Sequence, residues 1–440
     1  MSRQNLLPRA IMLLAILAFA FWGCGDDETT KPEVPGNQPP NASANPSPAN
    51  LAVNQENNVQ LGWDCTDPDT ADTITFDLYF GHSLPPPLID SDLTSMTYDP
   101  GQLEWGWDYW WQVVAKDNHG HSTDGPVWKF ATRAPGFYSL GSVSTPSKAL
   151  SVTVSGTYAY VGTQTSGMVI YDISDPANPD SVGSYHNTGG HVYDIFVAGN
   201  NAYLAAYTDG LLIIDVSNPT NPTKVGEYNP GTPTPFSKYV YVVSDTAFVA
   251  DELNGMWIID AKTNPSNPGL IGSFADTTVR AVQVSGDYAF LAVPPVNTPD
   301  SGLVIVDISD PTSPSLAGKY QVIEYAYDVY VVGNYAYVSD YYHGLKIVNI
   351  SNPSAPSLVG YYDSFWKFAR LTVSGDYALM SHYDYGLYVL DISTPAIPTL
   401  VDTLDTPTAG GHGQDVSMSG DYIYVAADAD GLQVIRYIPQ

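Results

Sequence analysis

The chain has 440 residues, with 46 acidic against 16 basic side chains and a formal net charge of −30. That charge excludes nucleic acid and anionic membrane surfaces as electrostatic partners. Thirty-five prolines, 37 glycines and 32 tyrosines, with apolar runs of four to six residues, predict an all-β class built from short strands and many turns.

The N-terminus places Arg3 and Arg9 before "AIMLLAILAFAFWGC", which is short for a bilayer span and fits a secretory apolar region. The stretch ends on Gly23-Cys24 and resembles a bacterial lipoprotein signal covering residues 1–23, which implies lipidation at Cys24. Phe21 and Trp22 depart from the usual residues of that motif, and an uncleaved membrane anchor is the other reading. Gly25 follows the cysteine, with no aspartate there to retain the protein at an inner membrane. The expected location is therefore extracytoplasmic, on the outer membrane or cell surface of a bacterium, with the membrane contacted through the anchor alone. Cys65 is the one other cysteine, so stability is expected from packed sheets rather than disulfides.

Residues 24–45 are proline-rich and polar and predict a disordered tether. From 46 to 133 the pattern turns to strands: "NNVQLGWDC", "ITFDLYFG", "YWWQVVAKD" and "VWKFAT". The stretch "LEWGWDYWWQVVAKD", with Leu103, Gly106, Tyr109, Trp111, Val113 and Ala115, resembles the fibronectin type III signature around its tyrosine corner. That resemblance implies a β-sandwich that serves as a spacer or adhesion module. In its loop "DPDTAD", Asp67, Asp69 and Asp72 are weak Ca²⁺ candidates, against a solvated turn started by Pro68.

Residues 137–440 repeat. "GMVIYDISDPANP", "GLLIIDVSNPTNP", "GMWIIDAKTNPSNP", "GLVIVDISDPTSP", "GLKIVNISNPSAP", "GLYVLDISTPAIP" and "GLQVIRYIP" begin 42 to 47 residues apart. Between them recur phrases such as "VSGTYAYVG" and "MSGDYIYVA". This resembles the LVIVD repeat family, which implies a β-propeller. Each unit holds four short strands that cannot cover both of their own faces, so seven units predict seven radially stacked blades. The seventh unit lacks a fourth strand, while "GFYSLGSVST" before the first matches one. Residues 137–144 or so are therefore expected to complete the last blade and close the ring.

The turns after "SG" and "DISDP" are alike and lie on one face. The fourth-to-first and second-to-third joins vary and lie on the other, where specificity can be built. That variable face collects His191, His343, His382 and His412 with Tyr361, Tyr362, Trp366 and Asp384. Aromatic planes among polar groups suit a sugar ring or a protein partner; ordinary loop packing is equally open.

"GGHVYD" and "GGHGQD" put His191 and His412 at equivalent positions of blades 2 and 7, each three residues before an aspartate. The aspartate column runs Ser151, Asp194, Tyr239, Ala281, Asp328, Arg370, Asp415. Residues three apart on a strand face opposite ways, so this is a poor chelate. Asp194, Asp328 and Asp415 are expected to be structural, bonded to loop amides at the channel mouth. No catalytic or cofactor motif is present. The function expected is a binding protein that presents its variable face to a protein or polysaccharide, with no cofactor. The alternative is a propeller enzyme or metal protein using His191, His412 and acidic neighbours at the channel mouth.

Overall fold

In the structure, a computed structural model, the described residues are 36–438 apart from 188, 232–233, 276–277, 296–300, 322, 365–366 and 405–412. The apolar N-terminal stretch, Cys24, Trp366 and His412 lie outside them. Every named element is a strand. No described helix is long and apolar enough to cross a membrane. The chain divides into two compact units after Ala134.

The first unit has two sheets. One pairs Ala44–Ser47, Leu61–Asp64 and Thr97–Tyr98; the other is built around Thr75–Gly81, Asp108–Lys116 and Trp128–Thr132. Alternation along Asp108–Lys116 sends Tyr109, Trp111 and Val113 into a core shared with Leu61, Trp63 and Phe76 of both sheets. The Tyr109 hydroxyl accepts from the Glu104 backbone N–H at 2.8 Å. Ordered structure begins earlier than the composition suggested. Within the span expected as tether, the Asn37 side chain donates to Asp117 and that of Asn41 to Thr66, and Ala44–Ser47 is a strand. These polar residues are fixed by hydrogen bonds rather than by apolar burial, which is why periodicity missed them.

The second unit contains seven four-stranded antiparallel sheets. Blade 1 runs Ala149–Ser155, Tyr158–Thr163, Met168–Asp172 and Asp180–Tyr185 in simple meander order. Blades 2 to 6 repeat that order, with inner strands Asp194–Ala198, Ser237–Val243, Ala281–Ser285, Ala326–Val332 and Phe368–Ser374. Blade 7 combines Asp415–Ser419, Tyr422–Ala426 and Leu432–Ile438 with Gly136–Val143 as its outer strand. The expected closure is what the structure contains, strengthened by Phe137 stacked on Tyr437 at 4.6 Å. Each inner strand packs on the next, and the seventh returns to the first. The second and third strands are buried on both faces, because apolar clusters form between neighbouring sheets rather than within one.

The recurring glycine of the outer strand and the recurring proline turn after the third strand prove to be two halves of one contact. A Cβ at Gly183 would collide with the carbonyl of Pro219 in the next blade. The same holds for Gly226 under Pro265, Gly272 under Pro311, Gly318 under Pro353 and Gly360 under Pro395. Gly141, in the closing strand, sits likewise under Ala177 of blade 1.

Candidate functional site

The aspartate column forms a buried layer across the channel. Asp415 of blade 7 accepts the Val152 N–H of blade 1 at 3.0 Å, Asp194 of blade 2 the Val240 N–H of blade 3 at 2.9 Å, and Asp328 of blade 5 the Leu371 N–H of blade 6 at 2.9 Å. Each carboxylate thus fastens its blade to the next through a strand amide. This corrects the expectation of loop amides at the mouth: ring curvature turns the neighbouring strand's N–H toward the column.

Arg370 occupies the same column in blade 6. Its guanidinium donates to Asp194 Oδ1 at 3.0 Å, to the Tyr193 carbonyl at 2.8 Å and to the Lys238 carbonyl at 3.1 Å, and lies 4.4 Å from the Tyr239 ring centroid. Those partners belong to blades 2 and 3, across the ring, so Arg370 bars the channel. Burial raises all three carboxyl groups, with Arg370 opposing the rise. Asp328 is pushed up to about 6 and Asp415 to about 7. The Arg370 guanidinium, facing three acids, stays charged.

Arg370 lines a cavity on either side of this layer. One, of about 310 Å³, runs along the inner strands beyond the aspartates. The other, of about 250 Å³, opens where the inner strands begin, on the variable face, and is lined by Leu150, Tyr193, Lys238, Arg280, Tyr327, Arg370, Tyr383 and Gln414. Six of these occupy one column, the residue just before the aspartate position. A β-bulge aims them inward. In blades 2, 4 and 7 the N–H of Tyr193, Arg280 and Gln414 donates to the carbonyl of a residue already paired with the next position. In blades 1, 3 and 5 the register slips across Leu150, Lys238 and Tyr327.

Glu252 serves two of the cations, at 2.8 Å from Arg280 and 3.6 Å from Lys238. Lys238 sits 3.5 Å from the Tyr193 ring centroid, and Arg280 3.8 Å from that of Tyr327, whose hydroxyl bonds Tyr383 at 2.7 Å. Burial pushes the Lys238 ammonium down to about 8, with Glu252 opposing.

The histidines go separate ways. His191 stacks on Tyr193 at 5.6 Å, its Nδ1 buried without a hydrogen-bond partner; burial, then the charge of Lys238, lowers its pKa. His382 is 1 % exposed, and its Nδ1 accepts the N–H groups of Asp384 and Tyr385. It caps a hairpin as Asp251 and Asp340 do in blades 3 and 5 and is no surface ligand. His343 is half-buried between Glu324 at 3.3 Å and Asp363 at 3.4 Å. It shares a groove of about 370 Å³ with Tyr361 and Lys346. Tyr362 packs into the core between blades 5 and 6, and Asp384 pairs with Lys367 at 2.8 Å. The surface set expected from the loops is thereby split.

Among the described residues, only the first unit gathers three potential metal ligands: Asp67 with Asp69 and Asp72, and Asp72 with Asp117 and His119. Asp67 Oδ1 accepts the Asp69 N–H, Asp69 the Gln38 N–H, and Asp72 meets His119 at 3.1 Å. Those oxygens are engaged by Asp69, Gln38 and His119, and three ligands fall short of the six to eight that Ca²⁺ takes.

The LVIVD repeat description matches seven segments, 146–187, 189–230, 237–276, 278–322, 324–364, 368–406 and 410–435, together well over half of the chain. The chain belongs to the LVIVD repeat family. No curated protein matches this LVIVD repeat chain. Among solved structures it is similar to the β-propeller domain of Cps50 (Swd1) from Myceliophteria thermophila, at 12 % identity and a TM-score of 0.56. That match covers 69 % of this chain and 100 % of the other. It is also similar to the Neurospora crassa Pan2 WD40 domain, at 12 % identity, covering 69 % and 96 %, TM-score 0.54. The WD40 β-propeller domain of Doa1 matches at 10 %, covering 68 % and 96 %, TM-score 0.54. At such identities the likeness establishes the propeller fold alone.

Proposed function

We propose that this LVIVD repeat protein is a lipid-anchored extracytoplasmic binding protein that presents the variable face of its propeller to a protein or polysaccharide. One observation carries the reading: the cation- and tyrosine-lined channel mouth and the groove of His343 and Tyr361 both open where the variable joins lie. The other face carries the similar proline turns, committed to contacts between blades. Concavity with a few convergent polar groups is what recognition sites share.

The first unit is read as a fibronectin type III-like sandwich acting as a spacer. Two sheets over one core and the Tyr109 hydroxyl bond to Glu104 support that reading. The Gly23-Cys24 junction supports the anchor and the outer-membrane or surface location.

A screen of the purified full-length chain against glycans and cell-surface proteins tests the binding role. A specific partner, lost on changing Tyr361 and His343 or the channel-mouth residues, is expected. Binding that survives changes at both places defeats the reading. Labelling with a radioactive fatty acid, lost in Cys24→Ser, tests the anchor.

A further inference from the structure

We propose that the channel mouth above Arg370 is a binding site for a single carboxylate carried on a compact hydroxylated body, that is, a sugar acid. This goes beyond the surface-recognition role, because it assigns a small-molecule site to a cavity that needs no macromolecular partner.

The composition of the lining carries the argument. The chain has nearly three acids for each base, yet the described charged residues lining this mouth are Lys238, Arg280 and Arg370, with no carboxylate among them. Their side chains are 12 %, 19 % and 11 % exposed, so these are not solvated surface cations. Burying three cations costs free energy unless negative charge faces them. Arg370 is met by the acids of its own layer, whereas at the mouth itself Lys238 and Arg280 share Glu252, one carboxylate for two cations among the described residues, which leaves one positive charge there for an incoming group.

That balance selects a monoanion. A dianion would exceed it and would face Asp328 and Asp415 in the layer below. A long polyanion would meet the repulsion of a −30 protein. The guanidinium fork of Arg280 suits a planar carboxylate, with Glu252 taking only part of its five donors. The faces of Tyr193 and Tyr327 hold Lys238 and Arg280, but these tyrosines and Tyr383 line the cavity and carry hydroxyls that suit the O–H groups of a sugar. At about 250 Å³ the cavity falls below the ~300–1,000 Å³ of sites for drug-sized ligands, so it holds one small ring or the end of a chain.

Calorimetric titration of the full chain with D-glucuronate, D-glucose and trigalacturonate tests this. Glucuronate should bind saturably at one site, at least tenfold more tightly than glucose, and more weakly at 1 M salt. Arg280→Gln and Lys238→Gln should each weaken it tenfold or more. Gln414→Glu, which adds an acid to the lining without removing a buried cation, should abolish it. A trimer that binds tenfold more tightly than the monomer assigns the carboxylate to a glycan end; equal binding assigns it to a free sugar acid. No saturable glucuronate binding, equal binding of glucose, or full affinity in folded Gln414→Glu overturns the proposal. The trimer arm bears on the glycan screen, but loss of glucuronate binding leaves partners of the His343 and Tyr361 groove untouched, so the two readings fail separately.

Discussion

Replacing Arg370 by methionine keeps the length of the bar and removes its charge. At pH 8 the variant leaves Asp194, Asp328 and Asp415 buried with no cation among them, and frees the carbonyls of Tyr193 and Lys238. Breaking a buried pair from one side costs about 3–5 kcal/mol. At ~2.1 cal/mol/K per residue over a ring of about 300 residues, that lowers the melting temperature by about 5–8 °C. The loss must shrink in acid. With the guanidinium gone, each carboxyl titrates higher still, and at pH 5 Asp328 and Asp415, already raised to about 6 and about 7, are protonated and no longer need a counter-charge. What remains is chiefly the two carbonyls, about 1–3 kcal/mol. The assay is thermal unfolding of wild type and variant, paired at pH 8 and pH 5. A deficit of the same size at both pH values would refute the charge argument and make Arg370 a packing residue.

Four further outcomes follow from the same geometry. Asp328 and Asp415 have folded pKa values raised to about 6 and about 7, so they favour the folded ring most below pH 4. That contribution drains away as pH rises to 7, and melts should show the propeller losing stability over this range. Asp117 in the first unit runs the other way: backbone and side-chain donors outweigh its burial and hold it at about 2. Its contribution is present above pH 4 and is lost as pH falls toward 2, visible in hydrogen exchange of the strands around it. His382→Ala should cost about 2–4 kcal/mol by chemical denaturation through lost packing and two stranded amides, whereas His343→Ala, at a half-buried surface side chain, should cost less than about 1 kcal/mol. Deleting 136–143 bares the Leu432–Ile438 edge and should broaden the ring's calorimetric unfolding relative to the intact chain; an unchanged transition would show that blade 7 closes without it.

The repeat was legible because a blade restates its own grammar: turn, short strand, turn. Seven copies expose the period, and the orphan "GFYSLGSVST" exposes the closure. The aspartate column was legible as structural, but not its partners, since the amide each carboxylate meets lies one blade on and comes into reach only through curvature. Arg370 stood in that column as an apparent substitution. That it reaches blades 2 and 3 depends on the ring's diameter, which no local pattern encodes. The channel-mouth column was missed because the histidines two residues upstream drew notice first. The available signal was two bases, Lys238 and Arg280, in one column of adjacent blades in a strongly acidic chain. His382 misled for a related reason: a buried acceptor and a surface ligand look the same in a loop quoted by itself.

The glycine under each proline turn has a kinetic consequence. Six joints of the ring are clasped this way, and among the described residues the seventh, from blade 6 to blade 7, shows no such clasp. There the outer strand reads "LVDTL", with Asp402 where its counterparts carry glycine. Blade 7 is also the blade stitched from both ends of the repeat region, so its assembly waits on bringing together segments nearly three hundred residues apart. The ring should therefore breathe at this joint first. Amides of Thr399–Leu404 and Gly136–Val143 would exchange with solvent ahead of the same strands elsewhere, and proteases would find the molecule there before anywhere else on its circumference.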